Sequence, residues 1–273
     1  MAGIPAGSIV CFLDEQVRPR GLVVAGYYVP KARLADLDRQ VIQVKKDFGL
    51  PWHAPVKWNL KDRGYDDVLQ MLRGRVEEFR EGMLSLVQRL DIRVVACHVW
   101  TGALKETAEP WEWAFANVLQ RLCIIMDRKS RCERNLQSAY RRLDVVFDCL
   151  PRRDRQDEYF QVYRKAYVEG YAFGRNRLPS LHTKGACPCL LVTSTRYSLA
   201  LQLADMVVGA TGAFFDWCWE GRNENHARRH FGPLYPAFDS DERGEVLGCG
   251  LVVKESSRSR VQERLQEMGL RWR

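Results

Sequence analysis

The run Ser8-Ile-Val-Cys-Phe-Leu-Asp14, the polar turn Glu15-Gln-Val-Arg-Pro-Arg-Gly21 and the run Leu22-Val-Val-Ala-Gly-Tyr-Tyr-Val29 decide the architecture. Two apolar, β-prone runs joined by a turn that contains proline predict an antiparallel hairpin over roughly 8–14 and 21–29. The first strand closes on an acid, Asp14. A later apolar run, Leu143-Asp-Val-Val-Phe-Asp148, closes the same way. A third acid, Asp205, interrupts the helix-like run Leu199-Ala-Leu-Gln-Leu-Ala-Asp-Met-Val-Val-Gly209.

An ionised carboxylate in apolar surroundings shifts its pKa or finds a cation. One Asp at a strand end commonly serves as a turn or cap residue, because its side chain bonds nearby backbone amides. Asp205, in the middle of an apolar helix, has poor propensity and no such local role. Two strand ends and a helix that each deliver an acid suggest a Mg²⁺ site, since that ion takes carboxylates, waters and substrate phosphates as ligands.

Outward from the hairpin, apolar spacing predicts helices over about 31–48 and 65–90, then a strand over 91–100. A helix opens after Pro110 and runs to about Arg142. An amphipathic stretch covers 155–171, a turn-rich basic loop follows, and Cys189-Leu-Leu-Val-Thr193 is a short strand. The helix of Asp205 comes next, then a last strand, Val246–Val253, and a charged appendage from Ser256. Strands first, then strands alternating with helices, predict an α/β fold with a mixed sheet.

The 273 residues, 46% of them hydrophobic, suffice for one elaborated domain over 1–273, with a core at about 8–215 and an extension at about 216–273. No stretch reads as a linker, a repeat, a signal peptide or an apolar run long enough to span a bilayer. Nine cysteines, an odd number scattered among apolar residues, predict reduced thiols and a cytoplasmic protein without membrane association; oligomeric state is not legible. The net charge of +8 favours polyanionic partners. Pro151-Arg152-Arg153, Gly174-Arg175-Asn176-Arg177, Lys184 and Arg228-Arg229-His230 are candidate phosphate contacts or a solvated basic face.

The order of elements and their acids resembles the ribonuclease H-like fold. Phe12-Leu-Asp14-Glu15 is similar to the opening "LDES" signature of the domain of unknown function 3800 family. Val56-Lys57-Trp58 is similar to its "E-x-K-W" element, and Leu201-Gln-Leu-Ala-Asp205-Met-Val-Val-Gly209 to its "LQLADLVAG" signature. The resemblance spans about residues 9–215. It implies a ribonuclease H-like α/β fold, with helical insertions, and a nuclease that uses Mg²⁺ or Mn²⁺ on DNA or RNA, with Asp14, Asp148 and Asp205 as the metal-binding acids. Gln16-Val17 and Val56 depart from the usual Ser-Gly and acidic residues. Asp62, Asp66 and Asp67 are alternative sources of a fourth carboxylate.

On this reading Asp14 bridges the ions, Asp148 and Asp205 each hold one side, and Lys57 meets a phosphate or developing charge. Trp58 stacks on a base or simply packs. Gln202, one turn before Asp205, is expected to support that carboxylate. Glu15 is expected on the opposite face of the sheet unless the chain turns there, and Arg152 and Arg153 beside the substrate backbone. Cys187-Pro-Cys189 with His182 lacks a second ligand pair for zinc, and His226 and His230 lack the glutamate of a zinc peptidase at Ala227. The alternative class is a binding module, for nucleic acid or protein, that keeps the fold without catalysis.

Overall fold

The computed structural model describes residues 7–18, 21–62, 64–100, 109–132, 142–148, 153–173, 176–178 and 180–271. Its centre is a six-stranded mixed sheet ordered β7-β4-β1-β2-β3-β8. β1 (Ser8–Arg18), β2 (Gly21–Pro30) and β3 (Arg93–Trp100) form an antiparallel meander. β4 (Arg142–Asp148) lies parallel to β1, β7 (Leu191–Thr193) parallel to β4, and β8 (Leu251–Val253) parallel to β3. The fold is therefore α/β with helices on both faces. A separate two-stranded hairpin, β5 (Tyr171–Phe173) and β6 (Asn176–Leu178), occupies part of the expected basic loop.

Alternation along β1 divides its side chains between two cores. Ile9, Cys11 and Leu13 face α4 (Pro110–Cys132) and α5 (Arg153–Val168). Val10 and Phe12 face α6 (Leu199–Glu220), beside α1 (Leu34–Asp47), α2 (Asp66–Leu72) and α3 (Val76–Arg89). Burial on both faces explains why β1 and β2 read as near-continuous apolar runs. α6 is buried along almost its whole length and apolar all round, as a helix enclosed by protein must be. Ser198 caps its start by accepting from the Leu201 N–H at 3.2 Å, and Gly221, with φ 67°, ends it in the left-handed conformation. The Tyr27 hydroxyl donates to Ala200 O at 2.9 Å and ties that start to β2.

Several expectations need correction. β1 continues through Glu15 and Gln16 to Arg18, so the turn is shorter than read. The helix expected over 65–90 is broken between α2 and α3, where Arg73 and Gly74 have φ 48° and 83°. The last strand shrinks to Leu251–Val253, and the helix expected to reach Arg142 is described only to Cys132. α6 has the length and apolarity of a membrane span, contrary to the reading of the sequence, yet most of it is buried inside the protein. The helix Glu255–Glu267 is no appendage, because Ser257, Val261 and Leu265 are buried against the α6 side of the core. Cys11, Cys97 and Cys218 are buried free thiols.

A candidate carboxylate metal centre

The register of the sheet brings two of the acids together. β1 and β4 run parallel with Leu13 opposite Phe147, so Asp14 and Asp148 are the next neighbours on adjacent strands. Asp14 shares the parity of Val10 and Phe12 and turns toward α6, which supplies Asp205. All three line one pocket of about 330 Å³ with Lys57 and Asp62.

A backbone N–H anchors one oxygen of each carboxylate. Glu15 N donates to Asp14 Oδ1 at 2.7 Å, Thr195 N to Asp148 Oδ1 at 2.6 Å, and Trp58 N to Asp205 Oδ2. The Asp14 and Asp205 carboxyl groups are themselves in hydrogen-bond contact. Burial, then the charges of Asp205 and Asp148, push the Asp14 carboxyl well above the usual carboxylate range, against the pull of the Glu15 N–H and Lys57. Burial likewise raises Asp205, to about 6, although the Trp58 N–H, Lys57 and Asp14 pull it down. Burial alone would lower the Lys57 ammonium, but Asp205, Tyr65, Asp14 and Asp148 outweigh it and hold its pKa above the ordinary value. Three crowded carboxylates with one cation leave negative charge that a further cation would neutralise.

The donor set fits a hard divalent ion, since the lining offers carboxylates and contains neither imidazole nor thiol. Among the described residues, the three aspartates do not close into a cage whose donor atoms all lie within 4.8 Å.

The other expected site residues divide sharply. Lys57 lines the pocket, as does Asp62, which accepts from the Asn59 amide, whereas Asp66 and Asp67 open α2 and are exposed. Val56 is fully buried and adds no charge. Trp58 is no stacking platform. Its ring is buried under the Arg80 guanidinium at 4.3 Å, edge-on to His230 at 5.2 Å and against Gly209, where an added Cβ would sit 2.1 Å from Trp58 Cγ. Trp58 reaches the centre only through its backbone N–H. The Glu15 side chain, on the opposite face as its parity requires, accepts from the Tyr159 hydroxyl, so its link to Asp14 is also through the main chain.

Gln202 supports a different carboxylate from the one expected. Its Nε2 donates to Thr195 O at 3.1 Å, and Thr195 N holds Asp148. Arg152 lies outside the described residues, as does Arg175; the side chains of Arg153, Arg177 and Lys184 do too. Arg228 and Arg229 pair with Glu224 and Glu81 at the surface.

Sequence reasoning missed Thr195, Tyr65 and Lys45. Tyr65 lies close enough to Lys57, Asp205 and Asp148 for their charges to act on its hydroxyl. Buried Lys45 donates to Trp52 O at 3.1 Å and Ala54 O at 2.7 Å, pinning the loop that delivers Lys57. The Lys45 signal was present, because it falls on the apolar stripe of Leu37, Val41 and Val44. Thr195 acts through its backbone and has no residue-type signature.

No protein-family model matches the chain, and no curated protein matches it. Function is therefore read from the site.

Proposed function

We propose that the protein is a divalent-metal-dependent nuclease with a ribonuclease H-like fold, akin to the domain of unknown function 3800 family, cleaving phosphodiester bonds of DNA or RNA. The observation that carries the proposal is the convergence of Asp14, Asp148 and Asp205 from two adjacent parallel strands and a core helix, each fixed by a backbone N–H. The meander followed by parallel strands, with acids at these three places, supports the assignment of the fold.

Bound Mg²⁺ or Mn²⁺ supplies Lewis acidity, lowering the pKa of water and neutralising phosphate oxygens. Asp14, Asp148 and Asp205 would hold the metal, with Asp14, whose carboxyl feels the charges of both other acids, as the candidate shared ligand. Lys57, kept protonated by these neighbours, faces the charge that develops on the phosphate and leaving oxygen. Removing such a donor typically costs about 10²–10³ in kcat. Arg196, exposed in the turn that carries Thr195 and close enough to Tyr65 for its charge to act there, is a basic candidate for the flanking backbone.

Cleavage of labelled single-stranded DNA, duplex DNA, RNA and hybrid with Mg²⁺, Mn²⁺ or EDTA tests the proposal. Metal-dependent cleavage that disappears in Asp148→Asn is expected. Binding of nucleic acid that is equal in EDTA and Mg²⁺, without cleavage of any substrate, would instead identify a non-catalytic binding module.

A further inference from the structure

Glu77 on α3 and His226 and His230, in the turns after α6, form a second cluster on the far side of Trp58. One oxygen and two imidazole nitrogens lie within 4.8 Å of one another. His230 Nε2 is 2.6 Å and His226 Nδ1 3.2 Å from the same Glu77 Oε2. We propose that Glu77, His226 and His230 form a Zn²⁺ site, separate from the aspartates, with an open coordination position toward a basic cavity. The inference does not rest on nuclease activity.

Zinc takes imidazole nitrogen at 2.0–2.1 Å in tetrahedral sites, which puts neighbouring ligand atoms about 3.3 Å apart. The His226–Glu77 separation already matches, and the His230–Glu77 contact needs to open by only ~0.7 Å. Two imidazoles with a single carboxylate select a borderline metal over Mg²⁺, which the aspartates suit. Arg80 Nη1 donates to Glu77 Oε1 at 2.6 Å, leaving Oε2 to the histidines and orienting the carboxylate as outer-shell partners of metal ligands do.

Two further observations favour a ligand over packing alone. Ala227–Phe231 is a π-helical turn, a rare geometry common at functional sites, and it sets the spacing of the histidines. His230 is buried with its Nε2 turned to Glu77 Oε2, so the core keeps an imidazole beside the carboxylate where an apolar side chain would pack. Glu77 and His226 open on a cavity of about 330 Å³ lined also by Arg18, Asn59, Lys61 and Arg80, so the fourth ligand is water or an anion.

Calorimetric titration of the metal-free full chain with Zn²⁺ in excess Mg²⁺, paired with Co²⁺ absorption spectra, tests the site. One Zn²⁺ per chain should bind to wild type and to Asp14→Asn, and Co²⁺ should give a tetrahedral spectrum without thiolate charge transfer. His226→Ala, at a half-exposed position, and Glu77→Gln should each weaken binding at least tenfold with melting temperatures little changed. Absence of Zn²⁺ binding, unchanged affinity in both variants, or a thiolate band pointing to Cys187 and Cys189 would overturn the proposal.

Discussion

Asp205→Asn should stabilise the metal-free protein at neutral pH while abolishing its response to metal. Burial raises the Asp205 carboxyl to about 6 from an ordinary 3.8. At about 1.4 kcal/mol per pH unit, its ionised form costs roughly 3 kcal/mol of folding stability. Because the folded pKa is the higher one, the native state binds the proton more tightly. That advantage is complete below about pH 3.8, falls as pH rises, and is gone above about 6. Asn retains an oxygen for the Trp58 N–H and carries no charge to desolvate. The gain at pH 7.5 in EDTA should approach ~3 kcal/mol, or roughly 6–12 °C in melting temperature for a chain of this size. It should shrink as pH falls below 5. Mn²⁺ should reverse the order, since an ion that binds only the native wild type stabilises it by mass action. Circular-dichroism melts at pH 5 and 7.5, with EDTA or Mn²⁺, provide the measurement. An Asn variant that melts at or below wild type in EDTA at pH 7.5, or an equal Mn²⁺ shift in both proteins, would refute the reasoning.

Gly209→Ala should drive a methyl group into the Trp58 ring, costing about 1–3 kcal/mol and misplacing the N–H that holds Asp205; a lower melting temperature together with lower kcat checks this. Gln202→Leu leaves Thr195 O buried without its donor, so a loss of about 1–3 kcal/mol is expected, with weaker Mn²⁺ binding because the segment whose Thr195 N–H anchors Asp148 is held less firmly. Burial lowers the Lys45 ammonium to about 8, so its charge penalises the folded state below that pH; stability should rise between pH 8 and 10.5 in wild type and rise less in Lys45→Met, as read by urea melts. Lys57→Met should lower kcat by about 10²–10³ in a nucleic-acid cleavage assay, with the melting temperature in Mg²⁺ little affected.

The hairpin, the parallel strand ending at Asp148 and the helix of Asp205 were legible because both faces of β1 and all faces of α6 are buried, leaving long apolar runs in which an acid stands out. Parity along β1 also foretold that Glu15 would face away from Asp14. The break at Arg73-Gly74 was hidden by apolar spacing that continues through both helices, although α2 ends on two successive positive φ values, at its C-cap Arg73 and at Gly74. Gln202 was assigned to Asp205 by helical proximity, whereas the tertiary fold turns it toward Thr195 O. The backbone amides of Glu15, Trp58 and Thr195 were unreadable in principle, since any residue with an N–H provides one. The pairing of Arg228 with Glu224 and of Arg229 with Glu81, the second across 148 positions of sequence, is not visible in a charge count.

The proposed nuclease needs Asp14, Asp148 and Asp205 to hold a divalent ion together. Anomalous diffraction at the manganese edge, from crystals of the protein soaked in Mn²⁺, tests it most directly. An anomalous peak is expected among these three carboxylates, on the α6 side of β1 and β4, and is expected to be absent from Asp148→Asn crystals. A saturating soak with no peak there, or with Mn²⁺ bound away from the three aspartates, would contradict it.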